Sequence, residues 1–126
     1  MQADSPEIRD RDTYVVMATD YVVLRDLVET VRDFSPGAEI VASDRLDLVR
    51  ELVSAVDRIA IAFLEAGPSR IARDGVEIAI RARGGRLVLL GDDAEDECEA
   101  MARAARAWPI LRRPFSTRMV KALMMP

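Results

Sequence analysis

The sequence predicts an α/β domain built on a doubly wound, five-stranded parallel sheet in a three-layer sandwich. Three observations support this fold class. Five short apolar runs alternate with five segments of helical spacing along the chain. Turn residues such as Ser35-Pro36-Gly37 and Gly67-Pro68 separate them. The chain length of 126 residues fits a single hydrophobic core. Strict alternation of this kind is typical of parallel strands joined by helical crossovers.

The predicted strands are rich in apolar residues with little alternation, which is typical of strands covered on both faces. They comprise residues 14–18, 39–42, 58–63, 86–90 and 109–111. In an open parallel sheet, binding sites lie at the carboxyl ends of the strands. The residues that follow each run are therefore the candidates for function.

The predicted helices carry apolar residues three or four positions apart. They comprise residues 23–31, 46–56, 68–83, 96–107 and those that follow Ser116. Asp44 is placed to cap the second helix, and Gly84-Gly85 ends the third. We find no internal repeat or low-complexity tract. Residues 1–12 are expected to be a flexible segment and residues 13–126 a single domain.

Composition excludes several classes of function. The chain has no histidine, which removes Ser-His and Cys-His catalysis and the usual zinc sites. Its one cysteine, Cys98, excludes an internal disulfide, and we expect it to be a buried small hydrophobe. Those catalytic arrangements and zinc sites are therefore not expected.

The charge and hydropathy of the chain predict a protein that binds neither membranes nor nucleic acid. The formal net charge of −4 gives no overall attraction to DNA, RNA or an anionic bilayer. The first twelve residues are acidic and polar, unlike a signal peptide. No apolar run approaches the ~18 residues that a membrane span needs. We expect a cytoplasmic location.

Four segments, in order, resemble the receiver domains of response regulators, the CheY-like family with a flavodoxin-like fold. Residues 20–28 are similar to the family's acidic-pair-to-helix junction, and residues 35–41 to its link into strand two. Residues 57–62 are similar to strand three, and Leu111-Arg112-Arg113-Pro114-Phe115 resembles the family's Leu-x-Lys-Pro-Phe signature. The resemblance covers about residues 13–124. It implies two-component (phosphorelay) signalling.

The resemblance assigns each of the family's phosphorylation-site positions to a residue of this chain. Thr19 and Asp20 stand at the acidic pair. Ala62 stands at the phosphoacceptor, Gly91 at the Thr/Ser position and Arg113 at the lysine. Ile110 stands at the position of the aromatic switch residue.

These replacements predict a degenerate pocket. A methyl group cannot replace a carboxylate nucleophile. One carboxylate beside a threonine is a poor magnesium site. The resemblance therefore implies no enzymatic activity, no bound metal and no cofactor. Asp20 is expected to cap a helix. An Asp20 paired with Arg113 and an Asp20 without that partner both stay open as alternatives. Glu65 is expected to be an exposed loop residue rather than a mimic of the phosphorylated aspartate.

The leading functional hypothesis is a pseudo-receiver that binds a kinase, another receiver, an output protein or a second copy of itself without phosphorylation. The expected surface is the predicted fourth helix, fifth strand and fifth helix, with contributions from Arg106, Trp108, Ile110, Arg112, Arg118 and Lys121. Two alternatives remain. One is a receiver phosphorylated at Asp20 or Glu65, and the other is a flavodoxin-like module that binds a small ligand or nucleotide.

Overall fold

The apolar runs form a five-stranded sheet in the computed structural model, which describes residues 12–100, 109–112 and 115–125. The strands are β1 (Thr13–Met17), β2 (Glu39–Ser43), β3 (Ile59–Glu65), β4 (Arg86–Leu90) and β5 (Ile110–Leu111). All pairings are parallel, in the order β2-β1-β3-β4-β5. The predicted fold class is confirmed.

Six helices lie in the described part of the chain, five of them between strands and one after β5. They are α1 (Tyr21–Phe34), α2 (Leu46–Val53), α3 (Pro68–Arg73), α4 (Val76–Arg81), α5 (Asp92–Ala100) and α6 (Thr117–Met124). The predicted fourth helix corresponds to α5 as far as Ala100, and residues 101–108 lie outside the described residues. None of the described helices is long and apolar enough to cross a bilayer.

Both faces of the sheet are covered, which explains why the strands are apolar without alternation. On one face, Leu64 and Leu89 pack with residues of α2, α4 and α5. On the other, Phe63 and Val88 pack with residues of α1 and α6. Cys98 is half-buried against the first of these clusters. Burial raises the pKa of its thiol, with a smaller contribution from the neighbouring Glu97 carboxylate.

The predicted third helix is two helices, which corrects the prediction of one continuous helix over residues 68–83. The break lies at Asp74-Gly75, where Gly75 has φ +74°, in the left-handed region. A glycine adopts this conformation without the strain that a Cβ atom imposes. The buried residues Ile71, Val76 and Ile80 hold the two short helices against the core.

The start of α2 also differs from the prediction. Arg45, rather than Asp44, occupies the N-cap, and its side chain makes no capping hydrogen bond. Ser43 at the end of β2 organises this turn, because its Oγ accepts a hydrogen bond from the Arg45 amide at 3.0 Å. By contrast, α6 begins directly after Ser116, as predicted, and Ser116 caps it, because its Oγ accepts a hydrogen bond from the Met119 amide at 3.2 Å.

Strand β3 extends two residues beyond its predicted end, and this changes the assignment of the pocket. Ala62 pairs with Val15 in the middle of β1 and is 0 % exposed, inside the core. Glu65 is the last residue of β3 and pairs with Leu90, the last residue of β4. The assignment of Ala62 to the strand-end position is therefore wrong by three residues. The prediction that Glu65 lies in a loop is also wrong.

Residues 1–11 of the predicted flexible segment lie outside the described residues. Asp12, its last residue, is half-buried, and its Oδ1 lies 3.2 Å from Nε of Arg58. Asp12 is thus attached to the residue that precedes β3, so this end of the segment lies against the sheet.

Candidate functional site

The candidate site is a pocket at the carboxyl edge of the sheet, at the point where the strand order reverses. Because β1 lies between β2 and β3, the connections that leave β1 and β3 run to opposite sides, which opens a crevice between their ends. The pocket has a volume of about 270 Å³. Its lining residues come from the ends of three strands and the segments after them: Thr19, Glu65, Ala66, Arg70, Leu90, Gly91, Asp92 and Asp93.

The central contact of this pocket joins Glu65 to Thr19. Oε1 of Glu65 accepts a hydrogen bond from the Thr19 amide at 2.6 Å and another from the Thr19 hydroxyl at 2.8 Å. Hydrogen bonds to an ionised acceptor are short and stronger than neutral ones. Two hydrogen bonds to one carboxylate oxygen therefore connect the end of β3 to the segment that follows β1.

Gly91 provides the space that Glu65 occupies. It has φ +98°, and a Cβ atom on it would lie 2.7 Å from Cγ of Glu65. A side chain here would meet both backbone strain and a direct clash. The glycine after β4 therefore permits the Glu65 side chain to lie between the ends of β1 and β4.

Asp20 has a structural role next to the pocket. It is the N-cap residue of α1, and its Oδ1 accepts from the amides of Val22 at 2.8 Å and Val23 at 3.2 Å. A carboxylate at this position satisfies amides that have no partner within the helix and complements the helix dipole. The prediction that Asp20 caps the first helix is confirmed.

Receiver domains use a divalent cation in this position, and the residues of the pocket do not fit one. A hard cation needs several oxygen ligands. Here Asp20 Oδ1 accepts two amides and Glu65 Oε1 accepts two hydrogen bonds from Thr19. Within the described residues, no three acidic, histidine or cysteine side chains form a group that could hold a metal ion.

The structure brings together part of the set that the sequence analysis assigned to the pocket. Thr19 and Gly91 line it, and Asp20 lies beside it as a helix cap. Ala62 lies in the core instead. Arg113 falls outside the described residues, so both alternatives for Asp20, with and without an Arg113 partner, stay open.

The predicted interaction surface is described only in part. Ile110 is half-buried on β5, while Arg112 and Arg118 are exposed. Lys121 points towards α1, because its Nζ lies 2.5 Å from Oδ2 of Asp33. This contact lowers the pKa of the Asp33 carboxyl, through the hydrogen bond first and the charge of Lys121 second. Arg106 and Trp108 lie outside the described residues.

Two residues near the pocket were missed from the sequence. Glu97 of α5 accepts a hydrogen bond from the Ser69 amide at 3.0 Å, so it caps α3 from a different helix. Arg70 of α3 lines the pocket and lies 3.7 Å from Asp74. Arg70 lies two residues after Pro68, in the first turn of the helix that leaves β3, where a strand-end site receives side chains. No local pattern marks Glu97, since its contact joins segments 28 residues apart.

Comparison with known proteins identifies the fold. No family model matches the sequence, and no curated protein matches it either. Among solved structures, it is similar to a signal receiver domain of an HD domain-containing protein from Pseudomonas fluorescens Pf-5. That similarity has a TM-score of 0.66 at 13% identity, over 90% of each chain. A response regulator receiver domain protein from Clostridium thermocellum gives a TM-score of 0.60 at 14% identity, again over 90% of each chain.

A third similar structure is named for an enzyme. It is an adenylate cyclase from Rhodopirellula baltica, with a TM-score of 0.68 at 12% identity, over 90% of this chain and 84% of that one. At these identities the comparisons establish the architecture. This chain has the CheY-like receiver fold, and the pocket lies at the carboxyl edge of its sheet.

Proposed function

We propose that this protein is a non-enzymatic signalling domain of the two-component receiver type that acts by protein–protein binding independently of phosphorylation. The observation that carries the proposal is the Glu65–Thr19 contact. The carboxylate at the end of β3 already accepts two hydrogen bonds from the segment where receivers place acidic cation ligands. The carboxylate of Glu65 is thus already hydrogen-bonded to Thr19, whereas a phosphorylatable receiver has a free carboxylate nucleophile at the strand end.

Two chemical requirements support this reading. Phosphoryl transfer to a carboxylate needs an oxygen in line with the donor phosphorus. It also needs a cation that neutralises phosphoryl charge. Oε1 of Glu65 is engaged by Thr19, and Asp20 serves as a helix cap. Glu65 also carries one more methylene than aspartate, which moves its carboxylate further from the strand.

The surface that we propose for the partner comprises α5, β5 and α6. Its described members are Ile110, Arg112 and Arg118, and Arg106 and Trp108 complete the proposal from outside the described residues. Lys121 is left out because its ammonium group is bonded to Asp33. Exposed arginines beside an apolar side chain are typical of the residues that dominate binding energy.

The direct test is treatment of the whole protein with acetyl phosphate and Mg²⁺, followed by intact-mass measurement. We expect no phosphoryl adduct, while an active receiver treated in parallel gains one. A wild-type adduct that E65Q loses would overturn the proposal and support the alternative of a receiver phosphorylated at Glu65. An adduct that D20N alone loses would place phosphorylation at Asp20, with the same consequence.

A second test addresses binding. Replacing the exposed arginines with R112E and R118E reverses the charge of the proposed surface. We expect the double variant to lose the partner, or the self-association, that the wild-type chain shows in sedimentation at matched concentration. The control is R25E on α1, an exposed arginine outside the proposed surface, whose guanidinium lies 3.9 Å from Glu29. Equal loss in both variants would argue against this surface.

The ligand-binding alternative rests on the pocket volume of about 270 Å³ and on Arg70 at its wall. An arginine is suited to phosphate, but Glu65, Asp92 and Asp93 line the same pocket and disfavour an anion. Incubation with flavin or nucleotide should therefore leave the melting temperature unchanged. A saturable upward shift that R70A abolishes would favour the ligand-binding module.

A further inference from the structure

Helix α5 is bonded to the segment that leaves β3. Oε1 of Glu97 accepts a hydrogen bond from the Ser69 amide at 3.0 Å. Gly91, the residue before α5, leaves room for the Glu65 side chain, since a Cβ atom on Gly91 would lie 2.7 Å from Cγ of Glu65. Residues 65–69 therefore run from the carboxylate that holds Thr19 to the amide that donates to Glu97.

Gly67 allows the Glu97–Ser69 contact to form. A Cβ atom on Gly67 would lie 2.6 Å from Cδ of Glu97 and 3.0 Å from its Oε1. The backbone of Gly67 has φ −82°, which any residue adopts. The glycine is therefore required for the approach of the Glu97 carboxylate and not for the shape of the chain.

We propose that Glu97 is a positioning residue that couples helix α5 to the pocket. Its carboxylate fixes the start of α3, and α3 follows Glu65 after an interval of two residues. A change at the Glu65–Thr19 contact therefore changes the Ser69–Glu97 contact, and a partner that moves α5 changes both. Because coupling between two sites is reciprocal, loss of either contact should weaken the other by the same free energy if the two contacts support one another. This coupling goes beyond the proposed function, since it does not depend on whether Glu65 accepts a phosphoryl group.

The test is amide hydrogen exchange, measured residue by residue on the whole protein. In E97A, the Ser69 amide should exchange about tenfold faster or more, because a hydrogen bond to a charged acceptor is lost. The Thr19 amide should also exchange faster, by a few-fold. Conversely, E65A should accelerate exchange at Ser69. Rates are compared with that of the Val88 amide in the buried strand β4, which reports global unfolding.

Matched variants distinguish loss of the Glu97–Ser69 hydrogen bond from a general loss of stability. E99A removes an exposed glutamate two residues along the same helix and should change Ser69 exchange by about twofold at most. G67A displaces the Glu97 carboxylate sterically and should reproduce E97A. In the double variant G67A/E97A, the Ser69 amide should exchange little faster than in either single variant, since both substitutions remove the same Glu97–Ser69 contact.

Two results would overturn the coupling. One is a Ser69 amide that exchanges equally in wild type, E97A and G67A. The other is acceleration at Ser69 in E97A while Thr19 keeps its wild-type rate, which would reduce Glu97 to a local cap. Neither result bears on the acetyl phosphate experiment, so failure here is distinguishable from failure of the proposed function.

Discussion

The two edges of the sheet use opposite charges to satisfy the backbone. At the carboxyl edge, where helices begin, Asp20 and Glu97 accept hydrogen bonds from helix-start amides. At the amino edge, where helices end, Arg83 donates to the carbonyl oxygens of Val56 at 2.8 Å and Ala79 at 2.9 Å. Arg86 likewise donates to the carbonyl oxygen of Leu123 at the end of α6, at 3.3 Å.

The difference follows from the direction of the peptide dipoles. A helix presents free N–H groups at its start and free C=O groups at its end, so anions suit one edge and cations the other. The two edges also differ in role. The carboxyl edge holds the candidate site, a pocket of about 270 Å³. The amino edge contributes to stability, because Arg83 is half-buried there and donates hydrogen bonds to three main-chain oxygens.

The largest effect should come from removing the cation of the amino edge. R83A abolishes donors to Val56, Ala79 and, at 3.4 Å, Ser54. Water can replace some of these hydrogen bonds, so we expect a loss of about 2–3 kcal/mol in the free energy of unfolding, measured with urea.

The control is R25A, which breaks the exposed pair between Arg25 and Glu29, whose nearest charged atoms lie 3.9 Å apart. Exposed helix pairs of this kind contribute about 0.3–0.5 kcal/mol. If R83A and R25A lower the free energy of unfolding equally, Arg83 is an ordinary surface residue and the amino edge has no special stabilising role.

The next effect concerns the pocket itself. G91A places a Cβ atom in the left-handed region and against Glu65, and should cost about 1–2 kcal/mol. G37A is its counterpart at a loop glycine with nothing within 4 Å, and should be close to neutral. Adding E65A to G91A should recover the steric part of the loss. Absence of any recovery would show that Glu65 is not held against Gly91.

A smaller effect should follow from uncapping α1. D20A removes the acceptor of the Val22 and Val23 amides and should cost about 1 kcal/mol in urea unfolding. D20N should retain most of the stability, because asparagine caps a helix about as well as aspartate. A loss in D20N as large as in D20A would mean that the negative charge of Asp20 matters for another reason.

The smallest effect should come from Asp33, whose side chain is exposed. Lys121 lowers its pKa in the folded state, so the pair stabilises the fold above the ordinary aspartate pKa of 3.8. That contribution is lost as the pH falls from there through the lowered value. The melting temperatures of wild type and D33N should therefore differ slightly at pH 6 and converge near pH 2, measured at low salt. A difference that persists in acid would contradict this assignment.

Much of the architecture was predictable because it depends on local patterns. Apolar runs and helical spacing located all five strands and the start of α6 at Ser116. The break between α3 and α4 was missed although Asp74-Gly75 is a turn dipeptide, since apolar periodicity continues across it. Similarly, the apolar run from Ile59 continues to Leu64, which indicates a strand end at Glu65 rather than at residue 63.

The site was less predictable because it depends on register and on contacts distant in sequence. An aspartate at residue 57 suggested the family's third strand and shifted the alignment by three residues, which put Ala62 where Glu65 lies. The Glu65–Thr19 and Glu97–Ser69 contacts join residues 46 and 28 positions apart. Spacing along one chain carries no signal for such pairs.

The division of α3 from α4 has a consequence for how the protein folds. Each of these helices has six residues, fewer than two turns, and helices this short do not persist alone in water. The 14-residue α1 with its Asp20 cap is much nearer to independent stability. Residues 68–81 should therefore acquire their helical hydrogen bonds late in folding, after β3 and β4 have assembled a surface for Ile71 and Ile80.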